Sequence, residues 1–399
     1  MRSMVSSLRG RNLSESPIRH LIPYANEAKA QGKHVFHLNI GQPDIQTPES
    51  ARQAVKNLEQ KIIKYGPSDG LPELKGVVAN YYSKFNADLD PSNIYVTTGA
   101  SEAIMFALLA CCDNNDELII PEPFYANYLG FSHLANVKIK PVTTTIENSF
   151  ALPSIESFEK SITPSTKAIL LCNPGNPTGQ LYAKSDLIEL AKLVKAKNLF
   201  LVVDEVYKEF CYDDEFTSVL SLDGIEEHVI VIDSISKVFS SCGARVGFLI
   251  SKNKSILSSV NKYAQLRLCP PHYGQVLAIE CYKNGQAYIN SALEEYRLRR
   301  TILFEELGKI DDIKYYKPPA AFYNMVELPI EDAEHFCKWL LTDFNYDNQT
   351  LMLAPGDGFY YNKALGKSTV RIAYILNQED LKKAIHCLKL GLLDYPKNH

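Results

Sequence analysis

Short runs of consecutive apolar residues recur through the middle of the chain, separated by segments whose apolar positions repeat at helical intervals. Runs at 94–98, 117–121, 137–142, 168–172, 199–204, 229–233 and 246–250 are strand-sized. Several lack the polar alternation of a half-exposed strand, which is the pattern of strands covered on both faces. Between them, 101–112 is apolar nearly all round and predicts a buried helix. Segment 185–198 sets Leu187, Leu190, Ala191 and Val194 at helical spacing behind a Ser-Asp start. Alternation of this kind predicts an α/β fold, with a mainly parallel seven-stranded sheet flanked by helices forming a large domain over 46–285.

After Ser291 the pattern shifts to charged helices at 293–307, 333–343 and 378–392 around a few strands, including 321–327 and 369–375. That predicts a smaller α+β domain over 286–399. Residues 1–45 carry little periodicity and include Ile22-Pro23 and Gly41-Gln-Pro43. They are expected to form an irregular arm, with a short helix near 24–31, that belongs in part to the small domain. No repeat or low-complexity segment interrupts the pattern.

Composition narrows the class. With 399 residues, 46% apolar and 22% charged, the chain reads as an ordinary globular protein. A net charge of −4 gives no reason to expect nucleic acid or an anionic membrane as partner. Nine cysteines, an odd total with no Cys-x-x-Cys, argue against a complete disulfide framework within one chain and fit buried thiols in a reducing compartment, and no metal is expected. Residues 1–33 lack the continuous apolar stretch of a secretory signal, and no run approaches the ~20 apolar residues of a membrane span. A cytoplasmic location is expected.

Open parallel sheets bind ligands beyond the carboxyl ends of their strands, and three segments deliver reactive residues there. Thr97-Thr-Gly-Ala-Ser-Glu102 passes from strand to helix through a glycine, so its free N–H groups and Ser101 suit a phosphate; Ser101 would equally serve as a plain N-cap. Asp204 closes the run in Leu201-Val-Val-Asp-Glu-Val-Tyr207, where a carboxylate can hold a protonated ring nitrogen or cap the next helix. Glu205 reads as structural. Lys237 follows the run 229–232 in Asp233-Ser-Ile-Ser-Lys237, with Arg245 eight positions on. A semi-buried lysine at a strand end loses its proton readily and can form a Schiff base; a solvated loop lysine is the plain alternative. Asn173-Pro-Gly-Asn-Pro-Thr-Gly179 predicts a turn-dense loop that fixes Asn176 at another strand end.

In that order, Thr-Gly-Ala-Ser, Asn-Pro-Thr-Gly, Asp-Glu-Val-Tyr and Ser-x-x-Lys with its later arginine resemble the class I/II aminotransferases of the fold-type-I pyridoxal-5′-phosphate enzymes, the superfamily of aspartate aminotransferase. The resemblance runs from Asn39-Ile-Gly-Gln-Pro-Asp44 to Val370-Arg-Ile-Ala373. It implies that Lys237 is the Schiff-base lysine and general acid–base, and that Asp204 partners the pyridinium nitrogen. It further implies that Tyr207 and Asn176 bond the ring oxygen, that Tyr125 stacks on the ring, and that Gly99, Ala100, Ser101, Ser234 and Arg245 hold the phosphate. Tyr65, in Lys64-Tyr-Gly-Pro-Ser-Asp-Gly70, resembles the tyrosine that reaches the phosphate of a neighbouring subunit, which implies a homodimer with shared active sites. Arg371 matches the arginine that grips the substrate α-carboxylate, supported by Asn176 and the backbone at Gly41. Without the resemblance, Arg371 would read as an ordinary surface strand residue.

The activity implied moves an amino group from an L-amino acid to a 2-oxo acid. A pyridoxal-phosphate C–S lyase or an enzyme like aminocyclopropane-carboxylate synthase would share the same cofactor site. A transcription regulator built on this domain would need a DNA-binding segment, and the first 45 residues show no such pattern. Substrate identity stays open. Arg267 is a candidate for a substrate or cross-subunit contact and equally for a surface ion pair. Pro319-Ala-Ala-Phe-Tyr323 departs from the glycine often found before this Phe-Tyr pair, and Phe359 is expected to wall the pocket.

Overall fold

The computed structural model describes residues 4–13 and 16–396. Its central sheet has seven strands in the spatial order Ile94–Thr97, Gly247–Ile250, Val229–Ser234, Phe200–Asp204, Thr166–Cys172, Glu117–Glu122, Lys138–Thr143. Gly247–Ile250 runs antiparallel to both neighbours, and every other pairing is parallel. The apolar runs match this sheet because its central strands are buried on both faces. Ile169, Leu171, Leu201, Val203, Val229 and Val231 face one core, whereas Ala168, Leu170, Val202, Ile230 and Ile232 face the other. Burying each of the valine, leucine and isoleucine side chains contributes roughly 1.5–3 kcal/mol.

Register brings the functional strand ends into line. Cys172 pairs with Asp204, Asp204 with Ile232, and Ser234 with Gly247, which faces Thr97 across the next pairing. One rim of the sheet therefore carries Thr97, Ser234, Asp204 and Cys172 side by side.

Helix ends depart from the sequence expectations for local reasons. The buried helix begins at Ala100, with Gly99 as N-cap at φ 76, so Ser101 lies inside the first turn and does not cap it. Lys184–Ala196 starts after Ala183, and the Ser185 hydroxyl turns to its neighbour Asp186. No helix follows Asp204, so the capping role for it does not arise.

A third core gathers Val326, Phe336, Leu340, Val370 and Ile372 with Ala25, Val35, Phe36 and Leu38 of the N-terminal arm. His34–His37 pairs in parallel with Gln349–Met352, and Tyr323–Glu327 pairs antiparallel with Thr369–Ala373. The arm helix spans Ile22–Ala30. The helix Gln286–Leu307 begins earlier than the expected 293: Ile289 packs in a sheet-side core and Leu303 in the arm-side core.

Candidate active site

A cavity of about 560 Å³ opens where the sheet rim meets the arm and the C-terminal strands. Lys237 stands on its floor in the four-residue helix Ile235–Val238, whose N-cap Ser234 accepts from the Ser236 N–H at 3.3 Å. The Lys237 Nζ donates to the Gly41 carbonyl at 2.7 Å. Burial pushes its ammonium below the ordinary lysine range, and Arg371 and Arg245 add repulsion against the partial support of Cys242 and Asp204. Gly41 must be glycine here, since an added Cβ would fall 1.7 Å from the Tyr323 hydroxyl oxygen.

Asp204 occupies the end of its strand, nearly sealed from solvent. The Tyr128 hydroxyl donates to Oδ2 at 2.9 Å and the Val206 N–H to Oδ1 at 3.3 Å. Burial still raises its carboxyl to about 6, because these bonds only partly offset the desolvation. Neighbouring Glu205 points away and is held by Ser218 and the Val219 N–H.

The turn at Thr98–Gly99 forms a second wall. Arg245, itself at φ 53, donates from Nη1 to the Cys242 carbonyl at 3.0 Å and from Nη2 to the Thr98 carbonyl at 3.4 Å. At Gly99 an added Cβ would lie 2.3 Å from Arg245 Nη2, and the positive φ disfavours any other residue. The N–H groups of Ala100 and Ser101 have no partner within the helix, and the Ser101 hydroxyl bonds nothing among the described residues.

Arg371 lies opposite and is almost fully buried, contrary to the surface role its residue type alone suggests. Nη1 donates to Asn176 Oδ1 at 2.9 Å and Nη2 donates to the Asn39 carbonyl. The guanidinium is sandwiched 4.6 Å from the Tyr323 ring and 4.8 Å from Phe359. Its Nε is buried without a partner among the described residues. Asn176 also donates to the Tyr207 hydroxyl at 3.4 Å, and that hydroxyl lies 2.9 Å from Tyr323's. Tyr125 lines the same cavity, with its hydroxyl accepting from Asn127 at 2.8 Å.

Most residues singled out in the sequence line this cavity; Gly99 adjoins its lining residue Ala100 and Phe359 packs on Arg371, whereas Arg267 lies outside it and so does Tyr65, which is 80% exposed. Sequence reasoning overlooked Tyr128, Asn39, Ile18 and Arg19. Tyr128 gives no signal of its own, because its role is a contact with the strand end at Asp204. Arg19 gives no signal, because its irregular arm has no period to interpret. Arg19 lines the cavity, and its side chain makes no hydrogen bond or ion pair among the described residues.

A family model described as aminotransferase class I and II matches residues 33–388. An aspartate aminotransferase of Pyrococcus abyssi is 33% identical over 384 residues, 94% of each chain. An aromatic-amino-acid aminotransferase of Thermococcus litoralis is 31% identical over 365 residues, covering 89% of this chain and 91% of its own. Among solved structures, an alanine aminotransferase from Pyrococcus furiosus superposes with a TM-score of 0.90 at 28% identity, over 98% of this chain and 100% of that one.

Proposed function

The chain belongs to the aminotransferase class I and II family and is a pyridoxal-phosphate-dependent aminotransferase, and we propose that Lys237, Asp204, Arg245 and Arg371 are the residues that carry its reaction. The observation that carries this reading is the meeting of those four side chains in one cavity, each with a different task available to it.

The cavity fits the cofactor. Unclaimed N–H groups, Ser101 and Arg245 offer a dianionic phosphate its donors. Asp204 offers the opposite end a buried acceptor. When bound, pyridoxal 5′-phosphate supplies an aldehyde that condenses with amines and a ring that withdraws electrons. Lys237 Nζ, neutral more readily than an ordinary lysine, would be the attachment point and, once the substrate amine has displaced it, the base that would take the proton from substrate Cα and return it to the cofactor carbon beyond the shared nitrogen. Arg371 holds the α-carboxylate in a planar two-point grip, with Asn176 fixing its orientation. Asp204 keeps the ring nitrogen protonated, with Tyr128 and the Val206 N–H fixing the carboxylate. Tyr207 and Asn176 would bond the ring oxygen, Tyr125 would cover the ring face, and Gly99, Ala100, Ser101 and Ser234 would complete the phosphate cradle.

Two further points belong to the same reading. Exposed Tyr65 reaches the phosphate of a second copy, so the active form is a homodimer with shared sites; the exposed apolar neighbours Ile62 and Ile63 support burial of this segment on pairing. Among the described residues the cysteines are free thiols, which suits the cytoplasm; no described helix is long and apolar enough to cross a membrane.

The unengaged Arg19 favours donors with a side-chain carboxylate, the class named by the aspartate aminotransferase relatives. A donor panel tests both levels. Turnover should require a 2-oxo acid acceptor, and Arg19→Gln should lower kcat/KM about tenfold or more for aspartate or glutamate while sparing alanine. Ammonia release without an acceptor would instead indicate lyase chemistry, and equal losses on all donors would remove Arg19 from substrate recognition.

A further inference from the structure

Arg267 ends the helix Lys254–Arg267 outside the cavity, yet its guanidinium reaches two segments that the cofactor site needs. Nη1 donates to Glu102 Oε2 at 2.7 Å and to Thr98 Oγ1 at 3.4 Å. Nη2 donates to the Ser68 carbonyl at 2.8 Å and to the Val96 carbonyl at 3.3 Å. An exposed ion pair would be worth only ~0–1 kcal/mol. Here both side chains are largely withdrawn from solvent, Arg267 at 15% and Glu102 at 17%, and the planar fork engages four acceptors at once. Lysine could not reproduce that arrangement.

Thr98 is where these contacts converge. Its N–H donates to Glu102 at 2.7 Å, its hydroxyl accepts from Arg267, and its carbonyl accepts from Arg245. The residue immediately before Gly99 is therefore fixed from outside the cavity by Arg267 and Glu102, and from inside by Arg245. Ser68 lies three positions after Tyr65, and its neighbour Asp69 accepts the Val96 N–H at 3.0 Å. The residue after Arg267, Leu268, sits at φ 80, a conformation a branched side chain adopts only where its surroundings hold it.

We propose that Arg267 is a positioning residue for the cofactor phosphate: one guanidinium sets the Thr98–Gly99 turn of its own cradle and steadies the segment that sends Tyr65 to the partner's. The proposal rests on the phosphate and dimer readings given above. Its consequence is that losing the guanidinium weakens grip on the phosphate group specifically, since no contact of Arg267 faces the ring, the substrate or Lys237.

The test compares two ligands of the cofactor-free full chain, pyridoxal 5′-phosphate and pyridoxal, which differ only in the phosphate. In Arg267→Met, affinity for pyridoxal 5′-phosphate should fall about 10- to 100-fold, the scale expected when binding groups are displaced by about an ångström, while affinity for pyridoxal stays within about twofold. Arg267→Lys, which keeps only a single-point contact, should recover less than half of that loss on a logarithmic scale. Equal weakening of both ligands, or of neither, overturns the proposal. Should Arg267→Met not fold, Glu102→Gln must show the same selective loss, and its failure to do so also overturns it. Tyr65→Phe is expected to weaken pyridoxal 5′-phosphate as well, and the double variant to lose less than the product of the two single losses. Independent losses overturn the coupling between segments. If Tyr65→Phe has no effect, the shared-site reading fails, whereas the cradle role of Arg267 stands or falls on the two-ligand difference alone.

Discussion

Asp204 shows how the sheet tunes a single group. Burial moves its carboxyl from the usual 3.8 to about 6, so without cofactor the folded protein holds this proton more tightly than the unfolded chain. Stability from this group is then full below the lower value and declines as the pH rises through about 6, where the buried charge must form. Asp204→Asn keeps an acceptor for Tyr128 and removes the titration. The cofactor-free variant should therefore match the parent in urea midpoint near pH 4 and exceed it above pH 6, while turnover falls on the order of 10²-fold. A midpoint difference that is flat with pH would contradict the burial argument. The meeting of Lys237, Asp204 and Arg371 in one cavity was foreshadowed in the sequence, for Lys237 and Asp204 by their places at strand ends and for Arg371 only by the family resemblance. Tyr128 was not, because its role is a contact with a strand 76 positions later. The depth of Arg371 was hidden for the same reason: Tyr323 and Phe359 enclose it only once three distant segments pack.

Among the elements, the Thr98–Gly99 turn carries the tightest geometric demand. Gly99→Ala would force a Cβ against Arg245 at a positive φ, and is expected to lower the denaturant midpoint and to weaken pyridoxal-phosphate binding tenfold or more. Gly76, inside the helix Pro72–Tyr82 with open space around it, provides the contrast. Gly76→Ala should stabilise by ~0.5–1 kcal/mol and leave binding unchanged, as measured by parallel denaturant and cofactor titrations. The central strands were legible to within a residue or two, because cover on both faces writes an unbroken apolar run. Helix starts were less so. A glycine at positive φ displaced the expected cap at Ser101, and strands as short as Lys314–Tyr315 and Ala354–Pro355 contain no period at all.

At the scale of the whole molecule, the cavity exists because two packing units share a border. The sheet supplies Lys237, Asp204 and Arg245, the C-terminal strands supply Arg371, and the arm adds Ile18 and Arg19. The helix Gln286–Leu307 ties both cores together, so we place the boundary between a large and a small domain within it. The broad α/β plan was readable from alternation, but the arm's contribution was not, since an irregular segment acquires its role only from what it covers. Every role proposed for the cavity depends on Lys237 being the residue that holds the cofactor. Borohydride reduction of the holoprotein, followed by peptide mapping, tests this directly. A cofactor-derived mass on the peptide containing Ser236-Lys237-Val238, absent in Lys237→Ala, is the predicted result; the same mass on any other lysine would contradict it.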